Sequence, residues 1–226
     1  MSSLSIVFDF DGTLATNFVG GMMFRGYVPE AEPAVARVRF DSKVTSLREY
    51  QEEVFDLVTE SPVEMSKKAS DGASVRPLTK EVCERVWNAG GSIAVASTGL
   101  DFYIRPVLDK TGLSEINVHC GKVIYEPTQL PPFRYDYPSA DEMCNGDGVT
   151  CKSKVINKLK DQSAGGEVVF AGDGIGLDAC AAVNAADKVF ANGRLLSYCK
   201  KNKIPATDFG PVLNYVVNKT TANGVL

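Results

Sequence analysis

Four short apolar runs, Leu4 to Phe8, Ser92 to Ala96, Glu167 to Ala171 and Lys188 to Ala191, constrain this chain most. Each is too short for a core helix, lacks the strict polar alternation of a half-exposed strand, and stops at a small polar or glycine-containing turn. Runs of that kind are strands buried on both faces of a sheet, which is the habit of parallel sheets. A helix-compatible stretch follows each run. The alternation predicts an α/β fold, a doubly wound Rossmann-like parallel sheet. Ligands of such sheets bind beyond the carboxyl ends of the strands, so functional residues are to be sought there.

Roughly eighty residues separate the first two runs, far more than a crossover needs. Ser46-Leu47-Arg48-Glu49 and Ser61-Pro62-Val63-Glu64 both have the form of a capping box, the second with Pro at the first helical position. Leu47, Tyr50, Val54 and Leu57 recur at helical spacing. The segment therefore reads as a small helical cap inserted after the first strand: residues 17–75 as cap, 1–16 and 76–226 as the α/β core. Leu78, Val82 and Val86 mark the helix that returns to the sheet. A second, shorter insertion from about Ser114 to Thr150 reads as a β-hairpin and a loop. Thr220 to Leu226 is expected to fray.

Composition excludes several functions. The chain has 226 residues, 44% of them hydrophobic, enough for a substantial core. A net charge of -4 offers no basic footprint for nucleic acid. No apolar stretch is long enough for a membrane span and the N-terminus lacks the pattern of a secretory signal, so a cytoplasmic location is expected. Six cysteines in a chain of this length read as reduced thiols. A zinc site is not expected, since the only His is His119 and no paired close Cys spacing occurs.

Four clusters carry chemistry. Asp9 and Asp11 flank Phe10 at the end of the first run, so strand alternation sends both carboxylates to one side while Gly12 turns the chain. A cation relieves the repulsion between two such acids, and hard oxygen ligands favour Mg²⁺. One carboxylate can then attack phosphorus while the other gives and takes a proton; the alternative is an ordinary Asp-Gly turn. Ser97, Thr98 and Gly99 close the second run, as a phosphate-holding turn or as a plain helix cap. Lys152 opens a helix, as a charge clamp on a transferring phosphoryl group or as a surface lysine. Gly172-Asp173-Gly174-Ile175-Gly176-Leu177-Asp178 follows the third run. Asp173 is placed to ligate a cation, and Asp178 to reach it or a bound water, or to serve as an N-terminal helix acid. Nucleophile, proton donor, oxygen cradle, cation and clamp are the parts that phosphoryl transfer requires.

These residues resemble the four motifs of the haloacid dehalogenase superfamily. Asp9-Phe10-Asp11-Gly12-Thr13 is similar to the first motif, Ser97 to the second, Lys152 to the third, and Asp173 with Asp178 to the fourth. The resemblance implies a phosphatase: Asp9 as the nucleophile that becomes phosphoaspartate, Asp11 as general acid and base, Lys152 as clamp, and Asp9, Asp11, Asp173 and Asp178 as the Mg²⁺ site. Gly12, Thr13, Ser97, Thr98, Gly99 and Lys152 would hold the phosphate. Ser97 to Pro106 and Cys151-Lys152-Ser153 look like the branch containing phosphoserine phosphatase and the methylthiopentenyl-phosphate phosphatase of methionine salvage. Two positions depart from it. Phe18 stands where phosphoserine-specific members place a carboxylate, and Ser153 where the methionine-salvage branch has Pro.

Phe18, Met22, Met23 and Phe24 read either as cap-to-core packing or as pocket wall. Arg25 is the candidate for an anionic part of the substrate, because its planar fork suits oxyanions. The expected reaction is Mg²⁺-dependent hydrolysis of a small phosphorylated metabolite by a monomer or homodimer. The alternatives are a phosphotransferase or phosphomutase using the same intermediate, or a non-catalytic phosphometabolite sensor.

Overall fold

The computed structural model describes residues 3–142, 144, 148–163 and 165–222. Strand β1 (Leu4–Phe8) is followed by helices α1 (Val19–Met22), α2 (Ala31–Asp41), α3 (Leu47–Asp56) and α4 (Pro62–Gly72). Helix α5 (Thr79–Asn88) then leads back to β2 (Ile93–Leu100). Next come α6 (Asp101–Lys110), β3 (Asn117–Tyr125), β4 (Phe133–Asp136), α7 (Lys152–Gln162) and β5 (Glu167–Gly172). The chain ends with α8 (Leu177–Asn184), β6 (Lys188–Ala191), α9 (Gly193–Lys201), β7 (Thr207–Asp208) and α10 (Val212–Ala222). Residues 223–226, part of the tail expected to fray, lie outside the described residues.

The strands form one sheet in the order β4-β3-β2-β1-β5-β6-β7, and all pairings are parallel except β3 with β4. Every residue of β1 is buried, as its unbroken apolar run requires. Alternation divides the strand between two cores. Leu4, Ile6 and Phe8 join Ile93, Val95, Val169 and Ala171 on one face; Val7 joins Ala94, Ala96, Val168 and Phe170 on the other. Helices supply the rest of each core, Val82, Val86 and Val216 on the first face and Val155, Ile156 and Leu195 on the second. Burying one such aliphatic side chain contributes about 1.5–3 kcal/mol. From β1 the chain builds outward through β2 and β3, then crosses to β5 on the other side. The crevice between the carboxyl ends of β1 and β5 is thus the switch point where ligands bind in open α/β sheets.

Two expectations need correction. The segment from Ser114 to Thr150 does contain a hairpin, β3 with β4, but β3 also pairs in parallel with β2 and extends the main sheet. Only part of β3 is buried, so its run carries too few apolar residues to read as a core strand. Ser97, Thr98 and Gly99 do not begin a helix. They stay within β2 at a register shift between Ala96 and Leu100, and α6 starts at Asp101.

Among the inserted helices, both capping boxes form. Ser46 accepts from the Glu49 amide while Glu49 accepts from the Ser46 amide at 2.7 Å, and Ser61 with Glu64 repeats the pattern. Helix α2 had no counterpart in the sequence reading. Ala36 is its one buried residue, while Val35 and Val38 are exposed, so no apolar period announces it. A short ribbon connects this insertion to the sheet. Ala15 bridges Val75, the Thr16 amide donates to the Ser74 carbonyl, and Asn17 exchanges hydrogen bonds with Gly72 and Ser74. No helix among the described residues is long and apolar enough to cross a membrane.

Candidate functional site

A cleft of about 450 Å³ opens at the switch point, lined by Asp9, Asp11, Gly12, Ser97, Thr98, Lys152, Asp173 and Asp178 together with Phe18, Phe40, Leu47 and Arg194. Residues from the start, middle and end of the chain meet there because β1, β2 and β5 are neighbours in the sheet.

Asp9 follows the last residue of β1, and its amide donates to the Ala171 carbonyl of β5. Its Oδ1 is doubly held, by the Phe10 amide at 2.7 Å and by Lys152 Nζ at 2.7 Å. Oδ2 receives no donor among the described residues. Burial, followed by the nearby Asp178 carboxylate, raises the pKa of Asp9, and Lys152 opposes that rise. Lys152 is only 3% exposed and also pairs with Asp178. Burial alone would lower its pKa, but Asp178 and Asp9 outweigh burial and hold the ammonium charged. The surface-lysine alternative is thereby removed.

Asp178 has both oxygens engaged. Oδ1 takes Lys152, and Oδ2 accepts from the Asp173 and Gly174 amides at 3.2 and 2.8 Å, so it shapes the loop that carries Asp173. Asp173 Oδ1 accepts from Thr13 Oγ1 at 3.0 Å, which ties the loop after β1 to the loop after β5. Gly12 stands between them with φ of +75°, and a Cβ there would lie 2.5 Å from Asp173 Oδ2. Both the left-handed backbone and the close carboxylate demand glycine.

Asp11 Oδ1 accepts from the Val19 amide at 2.6 Å and the Gly20 amide at 3.4 Å. The acid is thus oriented by the first residues of the inserted helices. Burial pushes its pKa up to about 6, against the lowering effect of those amides. A carboxyl group poised there can carry a proton near neutral pH, as a general acid must. Ser97 is 2% exposed, and its Oγ accepts from the Gly99 amide at 3.0 Å, leaving its own proton for an oxygen in the cleft.

One carboxylate oxygen from each of Asp9, Asp173 and Asp178 lies within 4.8 Å of the others. Four carboxylates face two cations in the cleft, and burial raises the pKa of Asp173 as it does that of Asp9. This hard-oxygen site, with carboxylates in excess over cations, suits a divalent cation such as Mg²⁺.

The remaining candidates divide. Phe18 is 68% exposed and lines the cleft, whereas Met23 is buried in the core. Phe24 packs against Phe55 with the rings tilted by 53°, and Met22 receives a hydrogen bond from Asn17. Arg25 is exposed and absent from the cleft wall, so the structure does not bring it to the site. Arg194, in the first turn of α9, lines the cleft instead. No local pattern in the sequence marked it. Arg76 was also missed: its guanidinium donates to the carbonyls of Thr13 at 2.8 Å and Gly12 at 3.1 Å while resting on the Phe209 ring.

The model of the haloacid dehalogenase-like hydrolases matches residues 6–182. The chain belongs to this family. A 2-hydroxy-3-keto-5-methylthiopentenyl-1-phosphate phosphatase of Bacillus cytotoxicus is 29% identical over 209 residues, 92% of this chain and 91% of the relative. Among solved structures, a phospho-aspartyl intermediate analogue of phosphoserine phosphatase superposes with a TM-score of 0.67 at 19% identity, covering 97% of this chain and 99% of that one. A probable phosphoserine phosphatase from Vibrio cholerae gives 0.69 at 16% identity over 99% of this chain and 67% of its own. Both structures share the haloacid dehalogenase-like fold described above.

Proposed function

We propose that this chain is a Mg²⁺-dependent phosphomonoesterase acting on a small phosphorylated metabolite through a phosphoaspartyl intermediate on Asp9. The observation that carries the reading is the arrangement of Asp9, with Oδ1 clamped by Lys152 and Oδ2 free, beside carboxylates that can share a cation. The phosphatase named among its relatives supports hydrolysis as the outcome.

Asp9 and Asp173 would hold the cation; Asp178, the third acid of the cluster, supports them through Lys152 and the loop amides. When bound, Mg²⁺ supplies positive charge to the phosphate oxygens and cancels repulsion among the carboxylates. Substrate phosphate meets Ser97 Oγ and Thr98, which line the cleft. Asp9 Oδ2 attacks phosphorus in line, and the ester oxygen departs with the proton of Asp11. Lys152 favours the ionised form of Asp9 against burial and balances the charge that builds on the transferring group. Asp11, now a carboxylate, takes a proton from water as that water attacks the acyl phosphate, releasing inorganic phosphate and restoring Asp9.

Residues 17–75 act as the cap and 1–16 with 76–226 as the catalytic core. The cap reaches the chemistry directly, since the Val19 and Gly20 amides orient Asp11. Cap position therefore sets the proton donor, which couples closure to turnover. At Phe18 the cleft presents a phenyl ring where a substrate ammonium would need a carboxylate, which favours a leaving group other than serine.

The test is release of inorganic phosphate from a generic aryl phosphate, with and without Mg²⁺, by wild type and Asp9→Asn. The reading requires Mg²⁺-dependent release by wild type alone. Equal activity in the two proteins, or none in either, refutes it.

A further inference from the structure

Building on the phosphatase reading, we propose that Arg194 forms a second anion subsite at the mouth of the cleft, so that the substrate's leaving group bears its own oxyanion, a carboxylate or a second phosphate. Two cations line the cleft, Lys152 and Arg194. Lys152 is buried and already bound to Asp9 and Asp178. Arg194 is exposed, and among the described residues it has no ion pair or hydrogen bond. Burial raises the pKa of Asp173 and the field of Arg194 only partly opposes that rise, since the two groups do not pair.

Helix stability gives no reason for the cation either. Arg194 occupies the first turn of α9, where the helix dipole opposes positive charge; the basic residues that suit the dipole, Lys200 and Lys201, sit in the last turn. An unpaired guanidinium over an anion-binding cleft has its five donors available, and they match an oxyanion two at a time.

Position distinguishes this group from the machinery for the transferred phosphate. That phosphate must lie against Asp9, Ser97 and Lys152, and the last two are 2% and 3% exposed. Arg194 is at the solvent-facing rim, where the part of the substrate beyond the ester oxygen projects. The inserted segment contributes Phe18, Phe40 and Leu47 to the same cleft, a wall without charge. A leaving group entering it meets an apolar surface and one free guanidinium.

Calorimetric titration of wild type and Arg194→Gln in saturating Mg²⁺ tests the subsite without turnover. The probes are propylphosphonate, 3-phosphonopropanoate and ethane-1,2-bisphosphonate, in which a methyl, a carboxylate or a second phosphonate occupies the same place. Wild type is expected to bind at least one of the two doubly anionic probes about tenfold or more tightly than propylphosphonate, the scale of a charge-assisted pair. Arg194→Gln should bring that ratio close to one, and the preferred probe tells carboxylate from phosphate. Equal binding of all three by wild type, no binding of any, or a uniform loss across the probes in the variant overturns the proposal; a uniform loss would place Arg194 on the transferred phosphate. Failure of the phosphatase reading is seen separately, as absence of Asp9-dependent phosphate release while the binding ratio persists.

Discussion

Replacing Asp11 with Asn should raise stability while abolishing turnover, and the size of the gain follows from the environment of the carboxylate. Burial moves its pKa from an ordinary 3.8 to about 6 despite the Val19 and Gly20 amides. Two pKa units correspond to about 3 kcal/mol. The folded state holds this proton more tightly than the unfolded state, so ionisation destabilises the fold. The penalty is absent below pH ~4, grows as pH rises toward 6, and is constant above that. Asn is nearly isosteric, keeps an oxygen to accept from both amides, and cannot ionise. In metal-free buffer with EDTA at pH 8, Asp11→Asn is therefore expected to be more stable than wild type by about 3 kcal/mol. In urea this is a midpoint shift on the order of 1 M, given slopes of about 1–3 kcal/mol/M. Near pH 4 the two proteins should unfold together. In the same variant turnover should fall by about 10²–10⁴ as a general acid is lost, with KM largely kept. A variant no more stable than wild type at pH 8, or one whose advantage ignores pH, would refute the electrostatic argument; near-normal turnover would refute the acid/base role.

Lys152→Met leaves Asp9 and Asp178 buried without their shared cation; thermal or urea unfolding should show a loss of about 3–5 kcal/mol, together with loss of activity. Arg76→Met frees the Gly12 and Thr13 carbonyls, so kcat should fall while KM changes little, and Arg76→Lys should recover part of the rate. Adding Mg²⁺ at a hundred times its dissociation constant should stabilise wild type by about 2.7 kcal/mol. Asp173→Asn should erase most of that shift in a melting experiment.

Local residues made much of the site legible. The Asp-Phe-Asp-Gly-Thr segment announced its own geometry because strand alternation and a glycine turn act within five residues. Both capping boxes were readable for the same reason, since each is closed by partners three residues apart. Helix α2 escaped notice because its stability comes from packing on α3 and its own apolar period is weak. Strand β3 was half hidden because half its residues face solvent or the hairpin.

Periodicity and local chemistry are written into neighbouring residues: buried strands, helix starts, paired acids, and the order in which they occur. Which distant groups meet depends on how the strands are laid side by side. The fold joined Thr13 to Asp173 across 160 residues, saturated Lys152 with two carboxylates, and turned Asp178 toward the backbone of its own loop. It also left Arg25 outside the cleft and brought Arg194 into it. The physical reason is that a residue's reach is fixed by the strand it follows, while its neighbours are fixed by the order of strands in the sheet. Arg25 and Arg194 look alike as letters, but only the second follows a strand whose carboxyl end opens beside β5.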